Sequence, residues 1–172
     1  MSSGEPYPPD VELPRQVGRV AMNWGHLEHA TALTLWVACD VSTGRGRLLT
    51  NGVPLLTQWE QVAARLSMEP FTEELREWFK RWRKGADALR IRRNEAVHSF
   101  WGTSDDLQSP YAALDLLSRA ARVKVREDVV PGGAESLRIL ANEIGASCIE
   151  LTKWTAETMG PVAPKWEAPP LL

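Results

Sequence analysis

Cysteine is scarce in this chain: only Cys39 and Cys148 occur among 172 residues, and neither has a CxxC partner. That count and spacing exclude a disulfide-built scaffold and a cysteine-based zinc site. Both sit in apolar, helix-like surroundings and read as reduced core thiols, which fits a cytoplasmic protein. Charge of one sign is also missing. The formal net charge is −2, so global charge does not announce a nucleic-acid binder, and only the local distribution carries information. No apolar run approaches the ~20 residues needed to span a membrane. The first ten residues are polar and proline-rich, unlike a signal peptide. A membrane partner is therefore not expected.

Several motifs are lacking as well. There is no HExxH, no GxxxxGK[ST] spacing, and no Ser–His–Asp or Cys–His arrangement. The glycine-rich, basic run Ser42-Thr-Gly-Arg-Gly-Arg47 does not follow a strand and reads as a linker. His26 and His29 bracket Glu28 in the first helix, but no third ligand accompanies them. Neither a metal nor a cofactor is expected.

What is present is helical periodicity. Hydrophobic residues make up 44% of the chain, enough for one domain with a real core. Residues 1–12 read as a flexible leader, 13–160 as the helical domain, and 161–172 as a proline-rich tail. A first helix is expected from about Leu13 to Ala38, with the stripe Val17, Val20, Ala21, Trp24, Leu27, Thr31 and Leu35. The glycines of Ser42–Gly52 interrupt it. A second helix runs from about Pro54 to Met68, with Leu55, Trp59, Val62 and Leu66 facing in. The third runs from about Thr72 to the region of Phe100, with Gly102 as a stop. Tyr111–Ala121 suggests a short helix, and Val123–Val125 a strand or one arm of a small hairpin. The last helix spans about Ala134 to Met159. Each helix needs a partner to bury its stripe. The expected fold class is therefore all-α: an antiparallel bundle of four to five helices, with a short irregular or hairpin insertion before the last helix.

Two charges break this pattern. On a helical wheel at about 100° per residue, Arg93 falls near the middle of the third helix's apolar stripe. Glu28 falls inside the stripe of the first helix, beside Trp24 and Leu35. Buried charges are rarely left unpaired, so the two are expected to meet, either as a register-fixing salt bridge or as part of a site.

The segment Arg92-Arg93-Asn94-Glu95-Ala96-Val97-His98 places an arginine, a polar residue directly after it, and a histidine at the fifth position. This Rx4–6H spacing, late in a long helix, resembles the HEPN superfamily (higher eukaryote and prokaryote nucleotide-binding). Trp24-Gly-His-Leu27-Glu28 is similar to the Trp-x-x-Leu-Glu pattern of small bacterial HEPN-like proteins. The resemblance spans roughly Leu13 to Met159, though about ten residues carry it. Ser99 stands where many relatives have glycine.

The resemblance implies a HEPN ribonuclease, which cuts RNA without metal by attack of the 2′-hydroxyl. It further implies a site at a homodimer interface and a toxin or phage-defence role, with an antitoxin or nucleotidyltransferase as a possible partner. The residues suit that chemistry. His98 is the acid/base, because an imidazole titrates near working pH. Arg93 clamps the phosphate, its planar fork matching phosphate geometry. Asn94 positions, and Glu28 supports the guanidinium. Arg93 and His98 lie about 140° apart on an ideal wheel. They converge only if the helix loosens near His98 or a second chain completes the site. Eight of the twenty Lys and Arg residues lie between Arg76 and Arg93. Arg76, Lys80, Arg83 and Arg90 share one face, a track for an RNA backbone that Glu77 and Asp87 dilute. Arg92 and Trp101 complete the expected RNA contacts. Trp78 and Trp82 lie on the apolar stripe and read as core rather than as base-stacking platforms. The second reading is a catalytically silent HEPN-like dimer that binds RNA, nucleotide or a partner protein.

Overall fold

The computed structural model describes residues 12–103, 110–115 and 133–159. Its elements in chain order are α1 (Glu12–Ala38), α2 (Thr43–Thr50), α3 (Leu55–Leu66), α4 (Glu73–His98), β1 (Ser99–Thr103), β2 (Pro110–Asp115) and α5 (Gly133–Thr158). The chain is a helical bundle, with α1, α4 and α5 as its long members. The leader up to residue 11, the segment Val123–Val125 and the tail from residue 160 lie outside the described residues.

Three differences from the sequence reading have local causes. The glycine-rich run after Ser42 is not a linker but enters α2. Gly46 makes this possible: a Cβ there would stand 2.4 Å from the indole of Trp36, so glycine lets the α2 backbone pack against that ring. Trp36 Nε1 also donates to Thr50 Oγ1 at 3.2 Å, and Thr50 donates back to the Gly46 carbonyl at 3.0 Å. Tyr111–Asp115 is strand rather than helix, pairing antiparallel with β1 in the register Trp101↔Ala112 and Gly102↔Tyr111. The rest of that expected helix lies outside the described residues. Ala21 is exposed, because the buried line of α1 runs through Gln16, Val20, Trp24, Leu27 and Thr31, displaced toward one flank of the expected stripe.

By internal contacts the chain divides into two compact units. The first contains α1 up to Gly25, α4 from Asp87, the β-pair and α5 up to Gly145. Val20, Trp24, Ala96, Leu137, Ala141 and Ile144 are its buried apolar centre. Asn23 Nδ2 donates to the Ala141 carbonyl at 2.7 Å, and Gly145 leaves space for that amide, 3.3 Å from where a Cβ would stand. Arg92 pairs with Glu143 of α5.

The second unit holds the remaining stretches of α1, α4 and α5 with α2 and α3. Its core is aromatic. Trp78 stacks on Trp154, with centroids 4.3 Å apart and rings 8° from parallel. Trp59 meets Trp82 edge to face at 5.9 Å, and Phe79 lies 5.5 Å from Trp82. Two buried indole N–H groups here are matched: Trp59 Nε1 donates to Thr31 Oγ1 at 3.2 Å, and Trp82 Nε1 donates to the Ser147 carbonyl at 3.2 Å. The Trp78 and Trp82 rings are thus committed to packing. The C-terminus of α1 closes in a Schellman motif: Val41 N–H donates to Trp36 O and Asp40 N–H to Val37 O, with Asp40 at φ 52°.

Candidate functional site

The last two turns of α4 carry the motif. They are helical because Ala86, Leu89 and Ala96 continue the apolar stripe, with Ala86 and Ala96 buried. The helix stops at His98, and the chain passes directly into β1 at Ser99. The β1–β2 register shifts between Ser99 and Trp101. An irregularity of this kind re-aims the chain, and such bulges are frequent beside active sites. The backbone leaves the helical path only after His98, so Arg93 and His98 belong to the same helix. The His98 side chain lies outside the described residues.

Arg93 is half-buried. Its Nη1 donates to Asn94 Oδ1 at 3.0 Å, and its guanidinium carbon stands 5.8 Å from the Trp24 ring centroid. Trp24 is 3% exposed. A cation over an indole face gains from the ring quadrupole, and more when partly desolvated. The guanidinium is thus held by an amide oxygen and backed by an indole. Asn94 orients it directly. By sequence pattern Trp24 reads only as a core and pattern residue. The signal for its contact with Arg93 was available in its position on the same face as Val20 and Leu27.

Glu28 departs from expectation. It is exposed, although Trp24 and Leu35 beside it on the wheel are buried.

The expected basic track is matched by acids. Arg76 pairs with Glu73 at 3.0 Å and Lys80 with Glu77 at 3.3 Å. Arg83 meets Glu60 at 3.7 Å, and Arg90 meets Asp87 at 2.7 Å. Arg92 is taken up by Glu143. Each carboxylate offsets the local potential that would draw an RNA backbone, although exposed pairs of this kind bind their partners weakly. Trp101 lies in β1 opposite Ala112; its expected RNA contact falls on a side chain outside the described residues. His26 and His29 are both exposed, and His29 meets the Trp36 ring edge to face at 6.2 Å. Among the described residues, no three His, Cys, Asp or Glu side chains converge as a metal site would require. Among them, too, no helix is long and apolar enough to cross a membrane.

Comparison with family models, curated proteins and solved structures gave no match to this chain.

Proposed function

We propose that this chain is a metal-independent endoribonuclease of the HEPN type that acts as a homodimer, in the role of a toxin or phage-defence effector. The observation that supports this most is the Arg93–Asn94 pair over Trp24, one turn before a helix that ends at His98. In the proposed reaction the 2′-hydroxyl loses its proton to a base and attacks the adjacent phosphorus. The bond from phosphorus to the 5′ oxygen breaks, and that oxygen takes up a proton. The products are a 2′,3′-cyclic phosphate and a 5′-hydroxyl. His98 serves as base or acid, and Arg93 offsets charge on the phosphorane oxygens. Asn94 fixes the fork of Arg93. A single motif histidine, His98, does not readily serve both proton transfers, which is why a second copy enters the proposal. An antitoxin or nucleotidyltransferase partner would restrain such an activity in the cytoplasm.

The test is cleavage of total RNA and of a labelled oligoribonucleotide in EDTA, by wild type and by His98→Ala. The expected result is cyclic-phosphate ends from the wild type and a loss of at least ~10²-fold in His98→Ala, the scale of general acid–base catalysis. Absence of cleavage by folded wild type across pH would defeat the proposal. The competing reading is a silent module that binds RNA, nucleotide or a protein. Ser99 in the glycine position and the neutralised basic track favour it. It expects binding that is lost in Arg93→Ala, with no cleavage by wild type.

A further inference from the structure

No aspartate or glutamate occurs between Asp40 and Glu60, the longest such interval in the chain. Within it lie α2 and the first residues of α3. Gly46 is the buried position of α2. Thr50, whose Oγ1 accepts from Trp36, stands about 40° from it on the wheel. Leu48 falls about 180° from the midpoint of those two, and it is 82% exposed. Leu49 beside it is 52% exposed. Arg45 and Arg47 flank Leu48 on opposite sides, at about 60° and about 100°, and both are exposed.

One exposed leucine on a surface is ordinary. Here two adjacent leucines stand beside arginines that no carboxylate takes up. Arg76, Lys80, Arg83, Arg90 and Arg92 each meet a carboxylate, whereas among the described residues Arg45 and Arg47 meet none. The helix itself is held from its other side, by Trp36 against Gly46. Its outer face is therefore apolar at the apex and cationic on the flanks, with no anion of its own.

A partner for this face has to accept leucine and supply negative charge. A second copy of the same face fails on charge, because it brings four guanidinium groups together. A nucleic-acid backbone supplies the charge and not the apolar surface. A groove on another protein has to match the curvature of a short helix, whereas a bilayer has no fixed shape to match. An anionic bilayer meets both conditions. Leucine enters the headgroup–acyl boundary, and the long arginine stems leave the guanidinium groups at the level of the headgroups.

We propose that α2 docks this protein on anionic membrane surfaces, with Leu48 and Leu49 entering the interface and Arg45 and Arg47 meeting the headgroups. The contact is peripheral: among the described residues no helix is long and apolar enough to cross a membrane. The expectation that a membrane is no partner rests on the missing apolar span and leader, which bear on insertion through a bilayer and not on contact with its surface. So few anchoring groups give weak, reversible attachment. It holds whether or not the chain cleaves RNA.

The experiment pellets the full chain with vesicles of phosphatidylcholine alone and of phosphatidylcholine mixed with phosphatidylserine, at low and at high salt. Binding to the mixed vesicles is expected, weakened by salt. Arg45→Gln and Arg47→Gln should each lower the partition coefficient by about fivefold, the effect of one cation near an anionic surface. Leu48→Ser should lower it by about tenfold. Arg81→Gln combined with Lys84→Gln removes two exposed charges from α4 and should leave binding nearly unchanged. All five side chains are exposed, so the fold is expected to persist in every variant, with melting temperatures as the check. No pelleting with the mixed vesicles overturns the proposal. So does equal pelleting with phosphatidylcholine alone, or a loss in the α4 double variant as large as in Arg45→Gln combined with Arg47→Gln. Full binding in Leu48→Ser beside impaired arginine variants marks a site for polyanions such as RNA, and it too overturns the bilayer contact.

Discussion

At the scale of single residues, two side chains carry measurable consequences. Burial pushes the Cys148 thiol above its ordinary range, and its Thr152 interaction works in the opposite direction. A thiol so shifted stays protonated, and only the thiolate attacks electrophiles. Alkylation of Cys148 by iodoacetamide, followed by peptide mapping, should therefore need a more alkaline pH than an unstructured cysteine peptide. An equal pH profile would contradict the burial effect. The linked stability has a definite sign. The unfolded thiol ionises near ~8.5 while the folded one still holds its proton, so the folded state loses stability as pH rises above that range. Asp40 is the second case. It occupies the left-handed position of the Schellman motif at φ 52°, where a Cβ is disfavoured. Asp40→Gly should stabilise the protein by about 0.5–1 kcal/mol, read by urea denaturation. A destabilised variant would mean that the aspartate side chain contributes more than its backbone strain costs.

At the scale of elements, α2 depends on one contact. Its sequence, with two glycines and two arginines in eight residues, has little helical propensity of its own. What holds it is the Trp36 indole against Gly46, with the Trp36 Nε1 bond to Thr50. Gly46→Ala would raise the intrinsic helical propensity yet force a methyl into the ring at 2.4 Å. The clash should win, destabilising by about 1–3 kcal/mol, the usual range for overpacking. A rise in melting temperature would show that Trp36 moves aside freely. The long helices α1, α4 and α5 were largely legible, because apolar steps of three and four residues are a local property of the chain. Their observed ends lie within a residue or two of those expected. The short helix was not legible, since its formation depends on an indole ten residues earlier in the chain.

At the scale of the whole molecule, α1, α4 and α5 each run unbroken through both compact units. Melting one unit alone would require breaking three continuous helices in mid-length, which sacrifices their backbone hydrogen bonds. One cooperative transition is therefore expected. Urea unfolding followed by far-ultraviolet circular dichroism and by tryptophan fluorescence should give coincident curves. Separated midpoints would show that the units unfold independently.

The sequence by itself determined the long helices, the apolar stripes that face inward, and the position of the Arg-Asn-x-x-x-His segment at the end of the third of the expected helices. Periodicity and the residue types that stop helices are written locally, so they can be read from spacing. The tertiary structure alone decided which charges are buried and which are matched. Glu28 lay about as close to Trp24 on the wheel as Leu35 did, yet it is exposed while Leu35 is buried. Four cations that looked like an open track each met a carboxylate. Burial and ion pairing are set by what a neighbouring segment places opposite a residue, and a neighbour distant in sequence leaves no mark on local spacing.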